Sequence, residues 1–99
     1  MGNDVTEKIE APDKEMLIEK MVKALPGISG ELNMMPAGIA VRAGLDVQRV
    51  RQIISGKRKM KWSEYMAILF VLWEDENGRT LAEENGLFPE ELKSMMRPD

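Results

Sequence analysis

The sequence predicts an all-α domain of five to six helices, with a helix–turn–helix at about 36–55. Two observations point there. Apolar residues recur at i, i+3 and i+4 rather than in alternation, as in Leu17, Met21, Ala24 and Leu25. The run Ile39 to Gly56 then holds two short apolar stripes joined by Gly44-Leu45, the spacing of two helices around a tight turn. A chain of 99 residues with 43% hydrophobic content suits one compact domain with a modest core.

Each element follows from local chemistry. Residues 1–12 are polar and contain Ala11-Pro12, and are expected to form a flexible arm, or at most a frayed turn through Val5 and Ile9, ahead of a single domain at 13–99. Asp13 is a candidate N-cap, and Leu25-Pro26-Gly27 is expected to end the first helix. Residues 26–35 then read as a connection from which Ile28 and Leu32 still touch the core. Pro36 suits the first turn of a second helix, where its missing N–H costs nothing. Ile39, Ala40 and Ala43 face inward, and Gly44 follows as a residue able to take positive φ.

Asp46 is expected to cap the third helix, with Val50, Ile53 and Ile54 on its buried edge. Gln48, Arg51, Gln52 and Ser55 lie opposite, at i, i+3, i+4 and i+7. Ser55-Gly56 ends that helix, and Lys57-Arg58-Lys59-Met60-Lys61 reads as a basic loop. Ser63 is expected to cap a fourth helix, Glu64 to about Glu76, apolar on most sides and hence central. Its aromatic stripe, Tyr65, Phe70 and Trp73, reads as core, and Asn77-Gly78 as its stop.

The tail, 79–99, partly repeats the centre. Leu81 to Leu87 echoes Ile39 to Leu45 at an offset of 42 residues, with Thr80 and Glu83 as a capping box and Pro89 opening a last helix. The positions that would match the third helix are Phe88, Pro89, Glu90 and Glu91, whose carboxylates would repel phosphate. The echo is therefore read as convergence of form.

Composition excludes several classes. There is no cysteine and no histidine, so no thiol nucleophile, no disulfide and no imidazole base or metal ligand. An enzyme is not expected, nor a metal or cofactor. Carboxylates such as Asp75, Glu76, Glu83 and Glu84 read as a solvated face without calcium-loop spacing. The longest strongly apolar stretch, Tyr65 to Trp73, falls far short of the roughly 20 residues that span a bilayer. The start Met1 to Thr6 fits a loose myristoylation pattern, but neither a polybasic patch nor a second lipid site follows in the arm. A cytoplasmic protein without a membrane partner is expected.

Charge is segregated. The net charge is -3, yet residues 42–61 carry Arg42, Arg49, Arg51, Lys57, Arg58, Lys59 and Lys61 against Asp46 alone, a local +6. Residues 1–41 carry -3 and residues 62–99 carry -6. A basic centre between acidic flanks is the footprint of a surface that meets phosphate on one side only.

Ile39-Ala40, Gly44, Leu45, Asp46, Val50, Ile53, Gly56 and Lys57-Arg58 together resemble the lambda-repressor and Cro type of helix-turn-helix, over about Met35 to Leu72. The resemblance implies a lambda-repressor-like DNA-binding domain, nucleoid-associated when bound, whose helix 47–54 lies in the major groove. It departs from the family at Met34-Met35-Pro36, where a polar residue usually helps grip a phosphate, and at Ile54, often polar in the family.

On this resemblance Gln48, Arg51 and Gln52 are the candidates for base edges, since Arg can bridge guanine O6 and N7 and Gln can pair with adenine. Val47 is the candidate for a thymine methyl. Arg42, Arg49, Ser55, Lys57, Arg58, Lys59 and Lys61 are the candidates for phosphate, which positions a protein without selecting sequence.

The expected partner is double-stranded DNA, and the expected assembly a homodimer, with Phe88, Met95 and Met96 offering the contact. The expected function is that of a transcriptional regulator acting as a repressor. A second reading keeps the fold but makes the chain an adaptor, antitoxin or anti-repressor that holds a protein partner on its acidic tail.

Overall fold

Helix formation begins earlier and lasts longer than local signals suggest. In the computed structural model, which describes residues 9–87, helix α1 spans Ala11–Leu32. Pro12 sits in the first turn, where no intrahelical N–H is needed, and Glu10 is the extended N-cap residue. Asp13 is therefore not the cap. It is an acidic residue in the first turn, where the helix dipole favours it. The expected arm of 1–12 also reaches too far, because Ile9 is buried and Ala11 is already helical.

The larger correction is at Pro26, which lies inside α1 rather than at its end. An interior proline withholds a hydrogen bond and crowds the preceding turn, at about 3 kcal/mol or more. The apolar stripe Leu17, Met21, Leu25 and Ile28 nevertheless runs past it into the core, with Leu32 partly buried beyond. Burying one Ile side chain stabilises by about 1.5–3 kcal/mol, comparable to that penalty. The expected connection of 26–35 thus shrinks to 33–35. Asn33 closes the helix at φ 56°, and the Met34 N–H donates to the Ser29 carbonyl at 2.9 Å.

Helices α2 (Pro36–Ala43) and α3 (Val47–Ile54) form where the sequence places them. Ile39, Ala40, Val50 and Ile53 are buried, and Ile54 is partly buried. Helix α4 (Trp62–Glu74) starts from Lys61 rather than Ser63. Ser63 lies in the first turn and is exposed, while the Glu64 carboxylate accepts the Lys61 N–H at 2.8 Å. As expected, α4 is central. It packs against α1, α2 and α5, and buries Tyr65, Ile68, Leu69, Val71 and Leu72. The aromatic stripe is not uniform: Phe70 is 46% exposed and Trp73 is partly buried.

Asn77-Gly78 does not stop α4. Asp75 does, and its carboxylate caps helix α5 (Glu76–Glu84) by accepting from the Asn77 and Gly78 N–H groups at 2.8 and 3.1 Å. Gly78 is needed for contact rather than for a turn, since a Cβ there would sit 2.4 Å from the Leu72 carbonyl oxygen. Thr80 lies inside α5 and donates its hydroxyl to the Glu76 carbonyl, so it forms no capping box with Glu83.

The echo of the centre in the tail is real in backbone form. Gly44 and Gly86 take φ values of 71° and 70°. The Leu45 N–H donates to the Ala40 carbonyl at 2.8 Å, and the Leu87 N–H donates to the Ala82 carbonyl at 2.9 Å. Leu87 is fully buried, and its carbonyl accepts the Tyr65 hydroxyl at 2.5 Å. Burial pushes the Tyr65 phenol well above its ordinary value, so it remains a donor. The expected last helix, with Phe88, Met95 and Met96, lies outside the described residues. The described residues therefore form an all-α, five-helix domain without strands.

Gly78→Ala should lower the urea midpoint by the equivalent of about 1–3 kcal/mol, because the new methyl meets backbone that cannot give way. Gly27→Ala, at an open site in the interior of α1, should instead be neutral or raise stability by about 0.5–1 kcal/mol. Equal effects at the two sites would contradict the close α4–α5 approach.

Candidate functional site

The candidate site begins with the turn between α2 and α3. Gly44 takes the left-handed conformation, which favours glycine, and returns the chain so that Leu45 packs against the core. Asp46 then starts α3, its carboxylate accepting the Arg49 N–H at 3.1 Å. With Val50 and Ile53 turned inward, the opposite edge of α3 must face solvent. Gln48 and Arg51 are exposed, and Val47 and Gln52 are partly buried. Of the four candidate base-contact residues, Gln48 and Arg51 thus stand fully outward. Among the described residues Arg51 forms no salt bridge.

The segment after α3 forms a short arch. Gly56, at φ 85°, turns the chain away from the helix. The Lys57 and Arg58 N–H groups both donate to the Gln52 carbonyl, at 2.8 and 3.2 Å. Met60 is buried at the far end. Lys57, Arg58 and Lys59 are exposed between these anchors, and Lys61 is exposed just beyond. Among the described residues none of the three arch cations forms a salt bridge. Arg42, at the end of α2, is exposed and likewise forms none.

Two of the expected phosphate ligands are held otherwise. Arg49 turns toward α4, where its Nε and Nη2 donate to the two carboxylate oxygens of Glu64, the Nη2 bond measuring 3.0 Å. The same Nη2 donates to the Lys59 carbonyl at 3.2 Å. With Nε and Nη2 engaged by Glu64 and the Lys59 carbonyl, Arg49 acts as a structural strut between α3 and α4. The Ser55 hydroxyl donates to the Gln52 carbonyl at 3.1 Å.

Sequence reasoning missed Glu64, which organises this region. It accepts from Arg49 and from the Lys61 N–H, so one carboxylate joins α3, the arch and the start of α4. The Arg49 hydrogen bonds hold the Glu64 carboxyl below its ordinary range, and the Lys61 N–H and the neighbouring cations act in the same direction. Burial opposes them and is outweighed. Arg49 is correspondingly raised above its already high value. Glutamate at the third helical position is a legible capping signal, but pairing across 15 residues leaves no local trace.

The start of α2 offers no polar side chain as a cap. Met35 is 73% exposed and its side chain makes no capping hydrogen bond, while Pro36 brings no N–H. Among the described residues no group of three or more histidine, cysteine, aspartate or glutamate side chains could hold a metal ion, and no helix is long and apolar enough to cross a membrane. No family model, curated protein or solved structure matches this chain.

Because the Glu64 carboxyl lies lower in the folded state than in the unfolded one, its stabilising effect is whole above an unfolded value of about 4.3. That effect is lost as pH falls through the lower native value. Urea midpoints measured from about pH 6 down to about pH 3 should show wild type well above Glu64→Gln at the upper end. The gap should close with acid. A gap independent of pH would mean that the strut contributes packing alone.

Proposed function

We propose that this chain is a sequence-specific double-stranded DNA-binding regulator, a repressor that reads the major groove with α3 and binds a two-fold site as a homodimer. The observation that carries the reading is the pairing of one outward helix edge, Gln48 and Arg51, with an adjoining arch of three cations free of salt bridges among the described residues. Base-edge donors and phosphate ligands are the two contact classes that specific recognition needs together. The local charge of +6 over residues 42–61 supports it, as does the resemblance to lambda-repressor-like domains at the turn, cap and arch. The acidic flanks restrict docking to that face.

In this reading Arg51 bridges a guanine, Gln48 and Gln52 address adenine, and Val47 lies against a thymine methyl. A well-placed bidentate pair is worth about 1–3 kcal/mol of discrimination. Lys57, Arg58, Lys59 and Lys61 hold phosphates, with Arg42 at the edge. Ser55, whose hydroxyl proton goes to the Gln52 carbonyl, and Arg49, whose Nε and Nη2 are held by Glu64 and the Lys59 carbonyl, contribute less to phosphate than the arch cations. Dimer contacts through Phe88, Met95 and Met96 would come from residues beyond those described.

A second reading rests on the acidic segment 62–99, of which Glu74, at the end of α4, and Glu76 and Glu84, on α5, are exposed. They would suit a basic protein partner, as in an adaptor, antitoxin or anti-repressor.

Fluorescence anisotropy with mixed-sequence duplex across a salt series separates the two. Each phosphate contact contributes about -0.9 to the log–log slope, so Lys57→Ala/Arg58→Ala/Lys59→Ala should bind weakly with a slope shallower by up to about 2.7. Arg51→Ala should keep the salt slope and lose preference among selected sites. No duplex binding at low salt would overturn the DNA reading and direct the search to protein partners of the acidic end.

A further inference from the structure

Beneath the arch lies a groove of about 300 Å3, at the lower end of the range for small-ligand pockets. Its floor is apolar. Ile53 and Met60 are buried there, and Ile18 and Val22 of α1 are partly buried beside them. Its rim is charged and unequal. Glu15, Glu19 and Lys23 stand on α1, and Lys57, Arg58 and Lys59 on the arch, four cations against two carboxylates. All six are exposed.

We propose that this groove binds a small amphipathic anion, an aryl or short alkyl body carrying a single carboxylate or sulfonate, and that its occupation weakens the arch's hold on DNA. The second half rests on the DNA-binding reading above. The apolar body covers the partly buried Ile18 and Val22 and the aliphatic stems of the rim lysines and displaces water from them, which supplies most of the affinity. The head group meets a rim with two more cations than carboxylates. In so exposed a setting each charge contributes little, so the head sets selectivity and orientation more than strength. Glu15 and Glu19 turn the head away from α1 and toward the arch.

Coupling to DNA follows from how the arch is held. The Gln52 carbonyl binds its first two N–H groups, Arg49 holds the Lys59 carbonyl, and Met60 is buried. So anchored, the arch keeps its cations over the groove instead of swinging clear. An anionic head among Lys57, Arg58 and Lys59 cancels one unit of the charge offered to phosphate. The coupling is reciprocal, so DNA must weaken the ligand by the same factor that the ligand weakens DNA.

Titration of the full chain with anilinonaphthalene sulfonate tests the groove without DNA. Saturable one-to-one binding with blue-shifted emission is expected. Val22→Glu, with unchanged circular dichroism, should weaken it at least tenfold. Lys57→Ala/Lys59→Ala, both at exposed positions, should weaken it several-fold, and the sulfonate-free phenylnaphthylamine should bind wild type less well. Non-saturable binding, indifference to the lysine pair, or equal affinity for the neutral analogue would overturn the site.

Anisotropy with mixed-sequence duplex then tests the coupling. Saturating probe should raise the duplex Kd about fivefold in wild type and leave it unchanged in Val22→Glu. An unchanged wild-type Kd overturns the regulatory half alone. Failure to bind duplex without probe overturns the DNA reading, and the groove is then judged by its own titration.

Discussion

The arrangement of the candidate surface depends on one carboxylate. Glu64 receives Arg49 from α3 and the Lys61 N–H from its own helix start, while Arg49 reaches the Lys59 carbonyl. A glutamate buried to this degree is costly unless each oxygen finds a donor, and here both do. The planar guanidinium supplies two donors to one carboxylate and a further bond to the backbone, which a lysine could not do. The orientation of α3 and the path of the arch are therefore set together. Any shift of α3 against α4 would strand a buried charge.

Behind that strut stands α4, which also packs against α1, α2 and α5 and is the most apolar element. Its two ends are tied to different devices. At the start, Glu64 holds α3 and the arch. Within the same first turns, the Tyr65 hydroxyl reaches the Leu87 carbonyl, a buried acceptor at the close of the second helix–Gly–Leu turn. The far end approaches α5 so closely that only glycine fits at position 78. A small core thus gains definition from a few directional contacts in addition to burial.

The two similar turns at Gly44 and Gly86 share a backbone form but differ in what surrounds them. The first leads into a helix within a segment, 42–61, that carries seven basic residues, and the second belongs to a segment, 62–99, with a charge of -6. The same motif serves as a scaffold in both places, and the side chains set on it decide what it can meet. Function in such folds lies in the decoration rather than in the turn.

Much of this was legible in sequence, where the governing physics is local. Gly44 must turn left-handed, Asp46 must cap α3, and the stripe Val50, Ile53 must face inward, so Gln48 and Arg51 must face out. Those steps involve neighbours within four residues, and they hold. Competing local signals misled wherever packing outweighed them. Pro26 reads as a stop, yet the burial of Ile28 carries α1 through it, and Asn77-Gly78 reads as a break although Gly78 answers to the Leu72 carbonyl. Phe70 shares its helix's apolar character but remains 46% exposed. The sequence by itself determined the class of fold, the turn between α2 and α3, and which edge of α3 is polar, because each follows from backbone geometry and periodicity. Only the tertiary structure decided that Arg49 is a strut, that the arch is held at both ends, and that a groove lies beneath it. Those features need residues far apart in the chain to meet, and spacing alone carries no record of such meetings.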